Sequence, residues 1–218
     1  MVTASRLPLL PPESLTEEQT ALYRAITRGR RSAGARLFEI TGSAGELLGP
    51  FSAMIVHPTI GAPLQRLGEA LRYDSTLPPS VREISIVTVA AELGSEYEWY
   101  AHSAVARSLG VPEYVLEELR TGGQPRELSQ EEECACALSR GLLRRNRLSE
   151  AEYLRLRAVL AEKWIIEVAS IVGYYSLLAG LLQTFEVGLP CGVPTSFEEP
   201  PDEDRQRRRL AGSHGGDG

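Results

Sequence analysis

Cysteine and histidine are both scarce in this sequence, three of each among 218 residues. Cys134, Cys136 and Cys191 are odd in number and irregularly spaced, which argues against a disulfide framework and for a reducing cytoplasm. Cys134 and Cys136 form C-x-C rather than C-x-x-C. Residues two apart on a helix point in different directions, so both read as small packing groups. The histidines are His57, His102 and His214, with no H-x-x-x-H and no Cys/His cluster. No zinc or iron site is expected, although Glu83, Glu98 and His102 could supply three ligands.

A basic stripe is also missing. The net charge is −6 and the two signs are interleaved, which disfavours a nucleic-acid partner. The arginine cluster Arg205 to Arg209 follows a run of acidic residues and reads as part of a solvated tail. The N-terminal stretch "MVTASRLPLLPPES" has no apolar core of the kind a signal peptide carries. The longest uncharged run in the second half, Val168 to Phe185, is 18 residues. That reaches the lower limit for a membrane span. Glu167, Gln183 and Glu186 flank or interrupt it, so a helix buried in protein is expected, with no membrane partner.

No convincing strand or internal repeat is present, and the fold class is all-α. A Pro-rich arm covers residues 1–13. Ser14 and Glu17 have capping-box spacing before an amphipathic helix. Residues 31–49 read as a loop. Helices are then expected on both sides of His57-Pro58, from the two prolines of "LPPSVREISIVTVAAELG" to Gly94, and from "SEYEWYAH" to Gly110. Further helices follow over "VPEYVLEELR", "SQEEECACALSRGLLRRN", "SEAEYLRLRAVL" and about 163–185. The last is apolar almost all round and needs covering on every side, which makes self-association through it economical. The folded domain is placed at 14–190, with 191–218 as a disordered tail.

On a helix, Ser95, Glu98 and His102 fall at i, i+3 and i+7 and share a face. Glu98 lies one turn from His102, close enough to orient an imidazole that can exchange a proton near neutral pH. The same spacing fits a bland reading: Ser95 and Glu98 as a capping box, Tyr97 and Trp99 as core, His102 as a packed side chain. Glu83, in an otherwise apolar helix, is either favoured by the helix dipole or faces His102 across a hairpin turning at Gly94.

The run "LPPSVREISIVTVAAELGSEYEWYAHSAVARSLGVPEYVLEEL", with "EVASIVGYYSLLAGLLQTFEVGLP", resembles the carboxymuconolactone decarboxylase family, whose superfamily includes the AhpD-like alkyl hydroperoxidases. The redox branch of that superfamily has a glutamate, then Cys-x-x-Cys-x-x-x-His. Here the glutamate and histidine match Glu83 and His102, whereas the cysteine positions are Ser95 and Glu98. A serine cannot supply the thiolate of peroxide chemistry, so the cysteine-free branch is the better match. The resemblance implies an all-helical unit around a helical hairpin, assembled as a homotrimer or homohexamer and working without a cofactor. It implies His102 as proton donor or acceptor at carbon, Glu98 assisting it and Glu83 as relay partner. Decarboxylation of a small carboxylated or lactone-type substrate would be the reaction. Trp99, Tyr97 or Tyr175 would donate to or pack against that substrate and Ser95 would face it. Arg72, Arg82 and Arg107 are candidates to bind its carboxylate, Arg72 being the one carried forward. The alternatives are a catalytically silent oligomeric binding protein and a hydroperoxidase.

Overall fold

The computed structural model describes residues 5–30, 37–145 and 148–197. Its helices are α1 (Glu17–Arg28), α2 (Pro50–Val56), α3 (Pro58–Glu69), α4 (Pro79–Glu92), α5 (Glu96–Ser108), α6 (Glu113–Arg120), α7 (Gln130–Arg145), α8 (Glu150–Val159) and α9 (Glu162–Thr184). Among the described residues no strand forms, and the only extended pairing is an isolated bridge between Thr41 and Leu47. The all-α expectation holds.

Local chemistry explains most boundaries. Pro12, Pro50, Pro58 and Pro79 stand in the first turns of helical segments, where a missing N–H costs nothing. α1 is capped reciprocally by Thr16 and Gln19, not by Ser14 and Glu17. Pro12 to Ser14 instead wind into a short 3-10 turn, and the Ser14 hydroxyl donates to the Pro11 carbonyl at 2.8 Å. Ser149 and Glu152 cap α8 in the same reciprocal way. α2 and α3 meet at His57, whose extended backbone breaks the helix ahead of Pro58. Gly61 lets α3 approach α2, because a Cβ there would lie 2.1 Å from the Met54 carbonyl oxygen. α3 then widens directly into a π turn, Ala70–Asp74, that carries Arg72.

α4 is the axis of the fold and packs against α5, α7, α9 and α6. Nine of its residues are buried, from Val81 through Ala90. Its two core-facing hydroxyls are satisfied locally: Ser85 donates to the Val81 carbonyl at 2.8 Å and Thr88 to that of Ile84 at 2.6 Å. Each buried isoleucine or valine contributes about 1.5–3 kcal/mol of transfer free energy. The helix covered on every side is therefore α4 rather than α9. α9 buries Val168, Ile171, Val172, Tyr174, Tyr175, Leu178, Ala179 and Leu182 against α4, α7 and α2, but leaves Ile166 64% and Leu177 44% exposed. By length and hydropathy α9 could cross a membrane; here its buried face forms part of the core.

The α4–α5 hairpin turns on Gly94, which adopts a left-handed φ of 58°. It separates two apolar clusters. The larger includes Tyr97, Ala101, Tyr174 and Tyr175; the smaller holds Ile84, Val87, Trp99, Val115, Leu116 and Leu119. At the chain ends, the Arg6 N–H donates to the Phe185 carbonyl at 2.9 Å. Residues 191–197 were expected to be disordered, yet they return to α5. Glu96 accepts from the Ser196 and Phe197 N–H groups at 2.8 and 2.9 Å, and the Phe197 ring meets Trp99 edge-on at 5.5 Å. The rest of that tail, including His214 and the arginine cluster, lies outside the described residues.

Candidate functional site

His102 stands on the inner face of α5 and is 3% exposed. Its Nδ1 lies 2.7 Å from Glu83 Oε2, across the hairpin from α4. Its Nε2 lies 3.7 Å from Glu98 Oε2, one turn back on α5. Glu83 sits in the second turn of α4, away from the N-terminal dipole, and is 0% exposed. It also accepts from Arg82 Nε at 3.1 Å. Burial opposes ionisation of Glu83, but the His102 charge and hydrogen bond, with Arg72 and Arg82, outweigh it. The carboxyl is held below the usual range. An ionised Glu83 fixes Nδ1 as the donor and turns Nε2 toward Glu98.

The bland capping-box reading fails here, because the Ser95 side chain makes no cap hydrogen bond. Its hydroxyl is buried without a hydrogen-bond partner among the described residues.

A recess of about 20 Å³ opens beside the imidazole, room for roughly one water. Phe38, Phe51, Tyr97, Tyr174, Tyr175 and Leu178 form its apolar walls, and Arg72, Glu98 and His102 its polar groups. The Tyr175 ring meets the imidazole edge-on at a centroid distance of 5.0 Å. Burial pushes the Tyr175 and Tyr97 hydroxyls well above the ordinary phenol range, so both stay protonated. The Tyr97 hydroxyl donates to the Glu39 carbonyl at 2.6 Å. Its ring lies over Gly49, where a Cβ would come within 2.2 Å.

Of the residues singled out from sequence, Glu83, Glu98, His102, Tyr97, Arg72 and Tyr175 converge at the recess or directly behind it. Trp99 does not. It lies on the opposite side of α5, in the smaller cluster against Phe197. Ser95 does not either. It lines a separate recess of about 750 Å³ between the hairpin turn, the end of α9 and residues 186–195. Arg82 is tied to Glu83, and Arg107 to Glu113 at 2.6 Å on the surface. The sequence reading missed Phe38, Phe51 and Tyr174. All three come from segments far away along the chain, and no local periodicity marks them.

Each carboxylate faces a different ring nitrogen, so the three side chains form a line rather than a chelate. Among the described residues no group of three or more His, Cys, Asp or Glu is placed to hold a metal ion. The cysteines are remote from the recess. Burial raises the thiol pKa of Cys134 and Cys136 on α7, and Cys136 accepts a weak hydrogen bond from Thr88.

Residues 58–140 match the carboxymuconolactone decarboxylase family. No curated protein matches the sequence. Among solved structures, the fold is similar to the alkylhydroperoxidase AhpD core of an uncharacterized peroxidase-related protein from Ralstonia eutropha JMP134. That match has a TM-score of 0.68 at 15% identity, covering 86% of this chain and 93% of that one. A peroxidase-related protein from Silicibacter sp. TM1040 gives a TM-score of 0.67 at 15% identity, with coverage of 87% and 93%. The debrominase Bmp8, in complex with 2,3,4-tribromopyrrole, gives 0.64 at 14% identity, with coverage of 87% and 93%. The matched segment runs from the start of α3 into α7 and contains Glu83, Glu98 and His102. Over that segment the chain is similar to the carboxymuconolactone decarboxylase family.

Proposed function

We propose that the protein is a cofactor-independent lyase that uses the Glu83–His102–Glu98 line for acid–base chemistry on a small carboxylated or lactone-type substrate, with decarboxylation as the reaction. The 2.7 Å contact between His102 Nδ1 and an ionised, fully buried Glu83 carries this reading. Such a contact orients the imidazole and supports positive charge on it. The other nitrogen faces Glu98 on the side of the recess.

In the proposed step the C–C bond to the substrate carboxylate breaks. Carbon dioxide departs, and the bonding electrons pass into the adjacent unsaturated system as an enolate. A proton on His102 Nε2 is delivered to carbon. Glu83 steadies the imidazole throughout, and Glu98, 3.7 Å away, relays the replacement proton. Tyr175, protonated and edge-on to the imidazole, packs that ring in place. Isomerisation or ring opening would use the same groups. Peroxide chemistry is disfavoured because no cysteine lines the recess. The apolar face that α9 leaves bare fits closure into a homotrimer or homohexamer in the cytoplasm.

The test is carbon dioxide release from a panel of β-keto and unsaturated lactone acids. His102→Gln is expected to lower the rate at least about 10²-fold, while a variant lacking all three cysteines keeps it. Equal rates for His102→Gln and the parent would end this reading. A catalytically silent binding protein is the second reading, and the narrowness of the recess counts against turnover at His102. Tight binding of a panel acid with no release of carbon dioxide would select it.

A further inference from the structure

Arg72 is 8% exposed, yet among the described residues it makes no ion pair or hydrogen bond, and its Nε is buried without a partner. Other arginines near the core are engaged: Arg82 with Glu83 and Arg140 with Glu92. A buried guanidinium that donates to nothing is costly and unusual. It is nonetheless held charged. Burial works against ionisation, but the fields of Tyr175, Glu83, Tyr73 and Glu98 more than offset it. The group is also held in place, with its carbon 5.7 Å from the Phe38 ring centroid and 5.4 Å from that of Tyr73. It lines the same recess as His102 and Glu98, which has room for about one water as it stands and admits a larger anion only when the aromatic side chains around it turn aside.

We propose that Arg72 anchors an anionic oxygen of the substrate that stays on the substrate through the reaction. This rests on reading the recess as the active site. The retained oxygen follows from the chemistry. A guanidinium holding the departing carboxylate would lose its partner as carbon dioxide forms, and so would stabilise the ground state more than the transition state. Held on a second carboxylate, or on the oxygen that becomes the enolate, it gains as charge develops.

The probes are benzoate and its neutral counterpart benzamide, titrated by calorimetry into the full-length protein. Benzoate is expected to bind at least tenfold more tightly than benzamide. Arg72→Gln is expected to remove that preference and Arg72→Lys to restore part of it. Unliganded Arg72→Gln is expected to fold and to melt slightly below the parent, because the surrounding fields favour the charged guanidinium in the folded state. Equal affinity for the two probes, no benzoate binding at millimolar concentration, or benzoate affinity unchanged in Arg72→Gln would each overturn the proposal. So would a marked fall in melting temperature or a failure to fold in Arg72→Gln, since Arg72 would then be a structural cation. A benzoate preference that depends on Arg72, in a protein that releases no carbon dioxide from any acid, would leave the anchor standing and remove the lyase reading alone.

Discussion

Replacing Glu83 with glutamine tests the centre of the site without changing its shape. The carboxylate accepts from His102 Nδ1 at 2.7 Å and from Arg82 Nε at 3.1 Å. A glutamine offers one acceptor oxygen and turns its NH2 toward the other donor, so one hydrogen bond weakens and one becomes a donor–donor contact. Hydrogen bonds to charged groups contribute about 1.5–3 kcal/mol each. Breaking a buried pair from one side costs about 3–5 kcal/mol. Some hydrogen bonding survives in the amide, so we expect a loss of about 3 kcal/mol at pH 7. For a domain of this size that corresponds to a fall in melting temperature of about 6–12 °C. Urea unfolding at fixed protein concentration should show a lower midpoint with an unchanged slope. The pH dependence has a definite sign. Because the folded-state pKa of Glu83 is lowered, its contribution is complete above the ordinary carboxylate range. It fades as pH falls through the folded value, where the unfolded chain already holds the extra proton. The gap between parent and variant should therefore narrow on acidification. A variant within about 1 kcal/mol of the parent at pH 7, or a gap that stays constant into acid, would refute the picture of a buried ionised Glu83 holding the imidazole.

Three further outcomes follow from the recess and its supports. Gly49→Ala places a methyl into the Tyr97 ring at a left-handed φ of 57°; it should destabilise by about 1–3 kcal/mol and weaken benzoate binding in calorimetry. Tyr97→Phe deletes the bond to the Glu39 carbonyl and should cost about 1 kcal/mol in urea unfolding. Phe197→Ala, in a Trp164→Phe background, should shift the Trp99 emission to longer wavelength and cost about 0.5–1.5 kcal/mol, because the edge-on ring that shields Trp99 is lost.

Much of the hairpin was legible in the sequence because its signals are local. Proline at the start of α4, glycine between the helices and helical spacing on α5 together place Glu83 opposite His102. The misassignments have physical causes. Adjacent residues on a helix diverge by about 100°, so Glu98 and Trp99 part into different sides of the fold although they look like neighbours. Ser95 precedes the first helical turn and does not obey the spacing that joins Glu98 to His102. At α1, two capping frames overlap, Ser14 with Glu17 and Thr16 with Gln19. The 3-10 turn at Pro12 to Ser14 decides for the second. α9 has the more apolar composition, but α4 is more deeply enclosed because its own carbonyls satisfy its hydroxyls. The aromatic walls could not be read, because Phe38 and Phe51 reach His102 only through tertiary contacts.

The π turn at Ala70–Asp74 gives the recess an unusual sensitivity to chain length. A π turn amounts to one surplus residue in an otherwise α-helical winding. Deleting a single residue there would tighten the coil and rotate the side chains beyond it by about 100° relative to α3. Leu71 or Tyr73 would then face the imidazole in place of the guanidinium. The charge lining the recess therefore depends on a one-codon insertion or deletion as much as on any substitution, and relatives differing by that codon would present a neutral wall to the imidazole.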